Sequence, residues 1–317
     1  MRGAILSWTI FGVLASIAWG QSETPQLDPG PPSQEELDER TRIVLDVTRV
    51  NILFTVSDKR GRFVTDLTKD DFEVFEKDRR QNILEFSSLS DLPLRLAILI
   101  DTSNSIRDRF KFQQEAAIEF INSVVRPEVD KAIVMSFDTG VQLAADLTGD
   151  PEVLADSIRS LRPGGGTALY DAIFSSCFDS LMKDQPRHNF RRALVILSDG
   201  EDNQSHYSRD QALEAAHRAD AVLYTISTNI TRNQTPGDKV LKYFAEETGG
   251  LVHFPFKVED LSQSFENIAN ELRHQYNIIY RPDPLKTDGR YHPVEIHVKN
   301  QRNLVVRARK GYYAPNL

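Results

Sequence analysis

The chain has 317 residues, 40% hydrophobic and 26% charged, which is enough to bury a core and is ordinary for a soluble globular protein of about two domains. Its 46 acidic residues outnumber 38 basic ones for a formal net charge of -8, against a nucleic-acid binder and against adsorption to an anionic membrane. One cysteine, Cys177, excludes an intrachain disulfide; it sits in the helix-like run ALYDAIFSSCFDSLM and reads as a buried, inert thiol.

The chain opens on a targeting pattern. Arg2 supplies the positive start, and Ala4 to Ala18 form an apolar run too short to span a bilayer comfortably. Ala18-Trp19-Gly20 offers small residues spaced for cleavage before Gln21. Residues 1–20 are therefore expected to be a signal peptide, with a retained anchor as the alternative. The mature protein is expected to be secreted or periplasmic, with no membrane contact after cleavage. Residues 21–40, with four prolines and almost nothing apolar, read as a disordered linker.

Residues 41–92 are strand-like. Val50, Ile52, Phe54 and Val56 alternate with their neighbours, the period of a half-buried strand. Turn signals at Asp58-Lys59-Arg60-Gly61 and Lys77-Asp78-Arg79-Arg80 separate further strands.

From residue 93 to 276 strands and helices alternate. LRLAILI is a continuously apolar run, as in a central parallel strand. Helices are expected over 107–125, 150–161, 168–182, 208–219, 237–248 and 259–275. Between them lie the strands AIVMSF, VQLAADL, RALVILSD, AVLYTIS and LVHFPF. Thr139-Gly140 permits a tight reversal, which places VQLAADL antiparallel at an edge. This alternation predicts an α/β fold with a doubly wound, mostly parallel sheet in the strand order 3-2-1-4-5-6.

Strand character returns over 277–317, where Asp288-Gly289 is a hairpin signal and Val294, Ile296 and Val298 alternate with polar residues. Neither β-rich end has enough strands to be stable alone. The expected arrangement is one small β-sandwich built from both ends, with the α/β domain inserted between them; two separate β extensions are the alternative.

Three segments carry chemistry: Asp101-Thr102-Ser103-Asn104-Ser105 after LRLAILI, Gly164-Gly165-Gly166-Thr167 before a helix, and Asp199-Gly200-Glu201-Asp202 after RALVILS. Asp101, Ser103, Ser105, Thr167 and Asp199 are oxygen donors, with no Cys or His among them. Two carboxylates and three hydroxyls suit a hard cation, Mg²⁺ with Mn²⁺ or Ca²⁺ possible, rather than Zn²⁺ or Cu²⁺. Asp101 and Asp199 end the first and fourth strands, neighbours in the expected order, so their loops flank the point where strand order reverses. The competing reading makes Ser103, Ser105 and Asp199 ordinary caps and turn residues.

DTSNS, GGGTALYDAI and VILSDGEDN resemble the von Willebrand factor A family over roughly residues 93–276. The likeness lies in its metal-ion-dependent adhesion site, D-x-S-x-S followed by T and then D. It implies that Asp101, Ser103, Ser105, Thr167 and Asp199 hold the metal, directly or through water. It further implies that an Asp or Glu carboxylate from a protein partner completes the shell. With the flanks LTKDDFEVFE and VRARKGYYAP, the whole arrangement also resembles the VWFA-related family described from Acidobacteria.

Other chemistries find little support. The seven histidines form no H-E-x-x-H, no G-x-S-x-G elbow is present, and the Gly triplet lacks the Gly-Lys-Ser/Thr of a phosphate loop. The strand-ending Asp101 resembles haloacid-type phosphatases, but Ser103 stands where those have a second acid. A metal-dependent hydrolase is therefore the second reading, with Glu201 and Asp202 its only acid/base candidates, and a purely structural cation the third. Asp138 and Asp202 are expected near the site, as supporting or solvated loop residues. Asn203, Asn229 and Asn233 begin N-x-S/T triplets, read as loop composition. The expectation is a non-enzymatic, cation-dependent binding module.

Overall fold

The computed structural model describes residues 48–88, 92–183, 189–229, 231, 233–255, 257, 260–299 and 303–316. The expected signal peptide and linker lie outside them.

Strands β1 (Val50–Asp58), β2 (Phe72–Glu76), β3 (Arg79–Gln81) and β4 (Ile83–Ser88) come first. The α/β part begins with β5 (Leu94–Asp101), a 3-10 turn over Asn104–Arg109, α1 (Phe110–Val124), β6 (Lys131–Phe137), β7 (Val141–Thr148), α2 (Pro151–Ser160) and α3 (Leu169–Ser175). It continues through β8 (Arg191–Ser198), α4 (Arg209–Arg218), β9 (Ala221–Ser227), α5 (Pro236–Thr248), β10 (Val252–His253) and α6 (Asp260–Arg273). Strands β11 (Tyr276–Tyr280), β12 (Tyr291–Pro293), β13 (Glu295–Val298), β14 (Leu304–Ala308) and β15 (Gly311–Tyr313) close the chain.

The central sheet has the order β10-β9-β8-β5-β6-β7. All its pairings are parallel except β6 with β7, the edge reversal expected after Thr139-Gly140. Numbered within the α/β part, this is 3-2-1-4-5-6, and the order reverses between β5 and β8. Side chains of β5 alternate between two cores. Leu96, Ile98 and Ile100 pack with Phe120, Leu154 and Ile268 of α1, α2 and α6. Ala97 and Leu99 pack with Ile173, Ala216 and Phe244 of α3, α4 and α5. Each fully buried Leu, Ile or Phe contributes about 1.5–3 kcal/mol of transfer free energy, so this double-sided packing fixes the register of β5 and with it the height of Asp101. Cys177 is fully buried in the second core, and burial pushes its thiol up to about 12.

Flanking the α/β part are antiparallel sheets that mix strands from both ends of the chain. β1 lies between β11 and β14, with β4 outside β11, and β2 lies between β13 and β3. Phe54 and Phe86 stack on Tyr276, and Phe72 meets Phe54 edge-on.

Some sequence expectations need correction. The run LVHFPF yields only the two-residue β10. The helix expected over 168–182 is α-helical to Ser175, then widens into a π turn over Ser176–Ser180 and tightens into a 3-10 turn. Asp288-Gly289 is not a simple hairpin: Gly289 has φ 67°, but β12, which follows it, pairs with β15.

Candidate metal centre

Two strand ends and two loops build the site. Asp101 is the last residue of β5 and is fully buried. Its Oδ1 accepts from Ser103 N at 2.8 Å and its Oδ2 from Ser198 Oγ at 2.7 Å. Ser103 Oγ lies 2.9 Å from Ser105 Oγ, which donates to Asp199 Oδ2 at 2.7 Å. The loop thus turns back on itself, so that hydroxyls bridge the space between the two carboxylates.

Thr167 is buried but stands outside this direct chain. Its loop is tied to both others: Gly164 N donates to Thr102 O at 2.6 Å and Asn104 N to Gly165 O at 3.3 Å. Thr167 N donates to Asn203 Oδ1, while Thr167 O accepts from Asn203 N and Gln204 N, each at 3.0 Å. Two glycines let these loops pass close to their neighbours, the Thr139 turn and the start of α5. Gly165 (φ 79°) has Thr139 Oγ1 2.5 Å from where a Cβ would sit, and Gly200 (φ 78°) has Gly237 O at 2.2 Å. A larger residue at Gly200 would push the Asp199 loop off the start of α5.

Burial pushes the Asp101 carboxyl up to about 6; bonds from Ser198 and Ser103 oppose this, and the nearby Asp199 charge adds to it. Among the described residues neither carboxylate has an ion-pair partner. Nor, among those residues, do three or more His, Cys, Asp or Glu cluster as metal ligands. The donor set is therefore hydroxyl-rich with two acids, which fits a hard, oxygen-seeking cation. The buried acid with no counter-charge is the feature a cation would satisfy.

Sequence reading missed two partners. Ser198, the residue before Asp199, holds Asp101, and its place at a strand end was the available signal. Asn203 fixes the Thr167 backbone, and nothing in its local pattern marks it. Asp202 is not held for the cation: its Oδ2 accepts from Tyr170 N at 3.0 Å and Ser205 Oγ at 2.6 Å, at the start of α3. Asp138 closes its own turn by accepting from Gly140 N. A separate cleft of about 330 Å³ is lined by Lys69, Glu73, Arg80 and Lys299, and none of the five oxygen donors is there.

The fold matches that of a von Willebrand factor type A domain, and residues 96–201 match the family model of that description. No curated protein matches the chain. Among solved structures, the chain is similar to a von Willebrand factor type A protein from Catenulispora acidiphila at 13% identity and TM-score 0.49, covering 76% of this chain and 75% of that one. It is also similar to the PilB minor pilin from Streptococcus sanguinis at 12% identity and TM-score 0.46, covering 58% of this chain and 62% of the pilin. A third likeness is to proximal thread matrix protein 1 from the mussel byssus with a zinc-occupied MIDAS motif, at 15% identity and TM-score 0.48, covering 61% of this chain and 49% of that one. The chain thus spans less than two thirds of the pilin and of the byssus protein, and at these scores none of the likenesses bears on function.

Proposed function

We propose that this protein is an exported, non-enzymatic binding module that holds one divalent cation at a metal-ion-dependent adhesion site. The cation would be held by Asp101, Ser103, Ser105, Thr167 and Asp199, directly or through water. The observation that carries this reading is the chain Asp101–Ser103–Ser105–Asp199, which gathers two carboxylates and two hydroxyls without a cationic side chain. Mg²⁺ is the first choice for such a set, with Mn²⁺ and Ca²⁺ as alternatives. When bound, the cation supplies an open coordination position for an oxygen anion.

The partner is a protein that presents an Asp or Glu carboxylate to that position. The chain's own residues do the selecting. Asp101 and Asp199 fix the cation and together balance its two charges, the neutral hydroxyls add none, and the Gly164–Thr167 loop is tied to the Asp101 loop beside it. Export rests on the N-terminal pattern; among the described residues no helix is long and apolar enough to cross a membrane.

Thermal unfolding in Mg²⁺ against chelator tests the reading, with glutarate as a soluble carboxylate. The melting temperature is expected to rise with Mg²⁺, to rise further with glutarate, and to respond to neither in Asp101→Ala. Equal melting with and without Mg²⁺ would refute it.

A further inference from the structure

Beside the cation loops runs a groove lined by Arg109, Phe112, Gln113, Thr228, Lys257 and Leu261. It lies between the start of α1, the end of β9 and the start of α6. Arg109 ends the 3-10 turn that begins one residue after Ser103. Arg109 is half-buried, and among the described residues its one bond is long, Nη1 to Thr228 O at 3.3 Å. Among the described residues, no carboxylate pairs with Arg109 or Lys257. Two further groups on the groove lack partners: Gln113 Oε1 and Thr228 Oγ1 are buried without a hydrogen bond. A half-buried arginine with one long bond, beside a hydroxyl that lacks a partner, is an arrangement that an anion completes, since Arg109 and the Thr228 hydroxyl can both donate to it, whereas the Gln113 oxygen is an acceptor that an anion does not satisfy.

The groove shares a wall with the cation site. Thr228 N donates to Ser198 O at 3.0 Å, and Ser198 Oγ holds Asp101. Ser105 and Arg109 are four residues apart on the 3-10 turn, an axial separation of ~8 Å at its rise of ~2.0 Å per residue, with their side chains about a third of a turn apart. Two carboxylates at alternate positions of an extended chain are spaced by ~7 Å.

We propose that the groove seats a second acidic group of the same partner, so that the ligand recognised is an extended acid–x–acid segment: one carboxylate on the cation, the other on Arg109 and Thr228 with Lys257 at the rim. This rests on the cation-dependent reading above and specifies its partner.

The test is calorimetry in Mg²⁺ with three capped pentapeptides: Gly-Asp-Ser-Asp-Gly, Gly-Asp-Ser-Asn-Gly and Gly-Asn-Ser-Asn-Gly. The diacid is expected to bind at least about tenfold more tightly than the monoacid, a difference of about 1.4 kcal/mol. Arg109→Gln removes that factor and leaves the monoacid affinity close to wild type. Arg107→Gln, which takes the same charge from the exposed side of the same turn, keeps it. Should Arg109→Gln fold poorly, Lys257→Gln is expected to lower the factor in the same direction. Equal affinity for diacid and monoacid overturns the proposal, as does a factor that survives Arg109→Gln or falls equally in Arg107→Gln. The monoacid in Mg²⁺ against chelator reports on the cation reading separately: if its binding ignores Mg²⁺, that reading fails and this one with it.

Discussion

Two polar clusters sit at opposite ends of the central sheet, each built on a buried acid. At the carboxyl ends of β5 and β8, Asp101 and Asp199 gather hydroxyls and no cation. At the amino end, where β1 and β14 lie against the helices, each acid has its base. Glu271 of α6 accepts from Arg307 Nη2 at 3.1 Å and Thr55 Oγ1 at 3.1 Å. Arg309 pairs with Asp220 and donates to Asn51 O at 2.6 Å. The second cluster is neutralised from within, and it joins strands from both ends of the chain to the α/β part. The first is left with uncompensated negative charge. A fold that pairs its buried acids at one end, yet leaves Asp101 without a counter-charge at the other, is the contrast on which the proposed cation site rests.

The largest effect should come from breaking the neutralised end. Arg309→Leu leaves Asp220 and Asn51 O without their donor and is expected to cost about 3–5 kcal/mol in urea unfolding. A loss below about 1 kcal/mol would mean that this cluster does not lock the ends together. The variant should keep its response to Mg²⁺.

Next in size is the cation itself. At a free Mg²⁺ concentration of 100 times its Kd, the wild type should gain about 2.7 kcal/mol, and Asp101→Ala should gain nothing. Equal gains in both would move the cation elsewhere.

Smaller, and opposite in sign to an ordinary buried substitution, is Asp101→Asn without metal. Asp101 titrates at about 6 in the fold against an ordinary 3.8, so between these values the folded state binds more protons than the unfolded. Stability of the metal-free protein therefore falls, through this group, as pH rises from 4 to 6. Asp101→Asn should be more stable than wild type at pH 7 by about 1–2 kcal/mol, with the difference gone near pH 4. His217 is held down to about 3, chiefly by burial, so its contribution is present above pH 6.5 and is lost on acidification. It is common to both proteins and cancels in their difference. A difference that does not vary with pH would contradict the burial account of Asp101.

The smallest effect is expected for Ser105→Ala. Ser105 is exposed, so stability should stay within about 0.5 kcal/mol of wild type, while Mg²⁺ affinity falls roughly tenfold.

These two ends were not equally legible. Asp101, Ser103 and Ser105 lie close in sequence and Asp199 follows a continuous apolar strand, so the meeting of Ser105 with Asp199 could be expected from the alternation of strands and helices, which also set the strand order. The neutralised cluster could not be read this way. Thr55 and Glu271 are 216 residues apart, and Arg307 and Arg309 look like any charged residues on an alternating strand. Only the pairing of β1 with β14 brings them inside. The brevity of β10 was hidden for a related reason, since an apolar run reports burial and not ladder bonds.

The most direct test is calorimetric titration of Mg²⁺ into the protein and its Asp101→Ala variant. One saturable site in the wild type, absent from the variant, is the result expected of a cation held between Asp101 and Asp199. No binding by the wild type, or binding undiminished in Asp101→Ala, would contradict it.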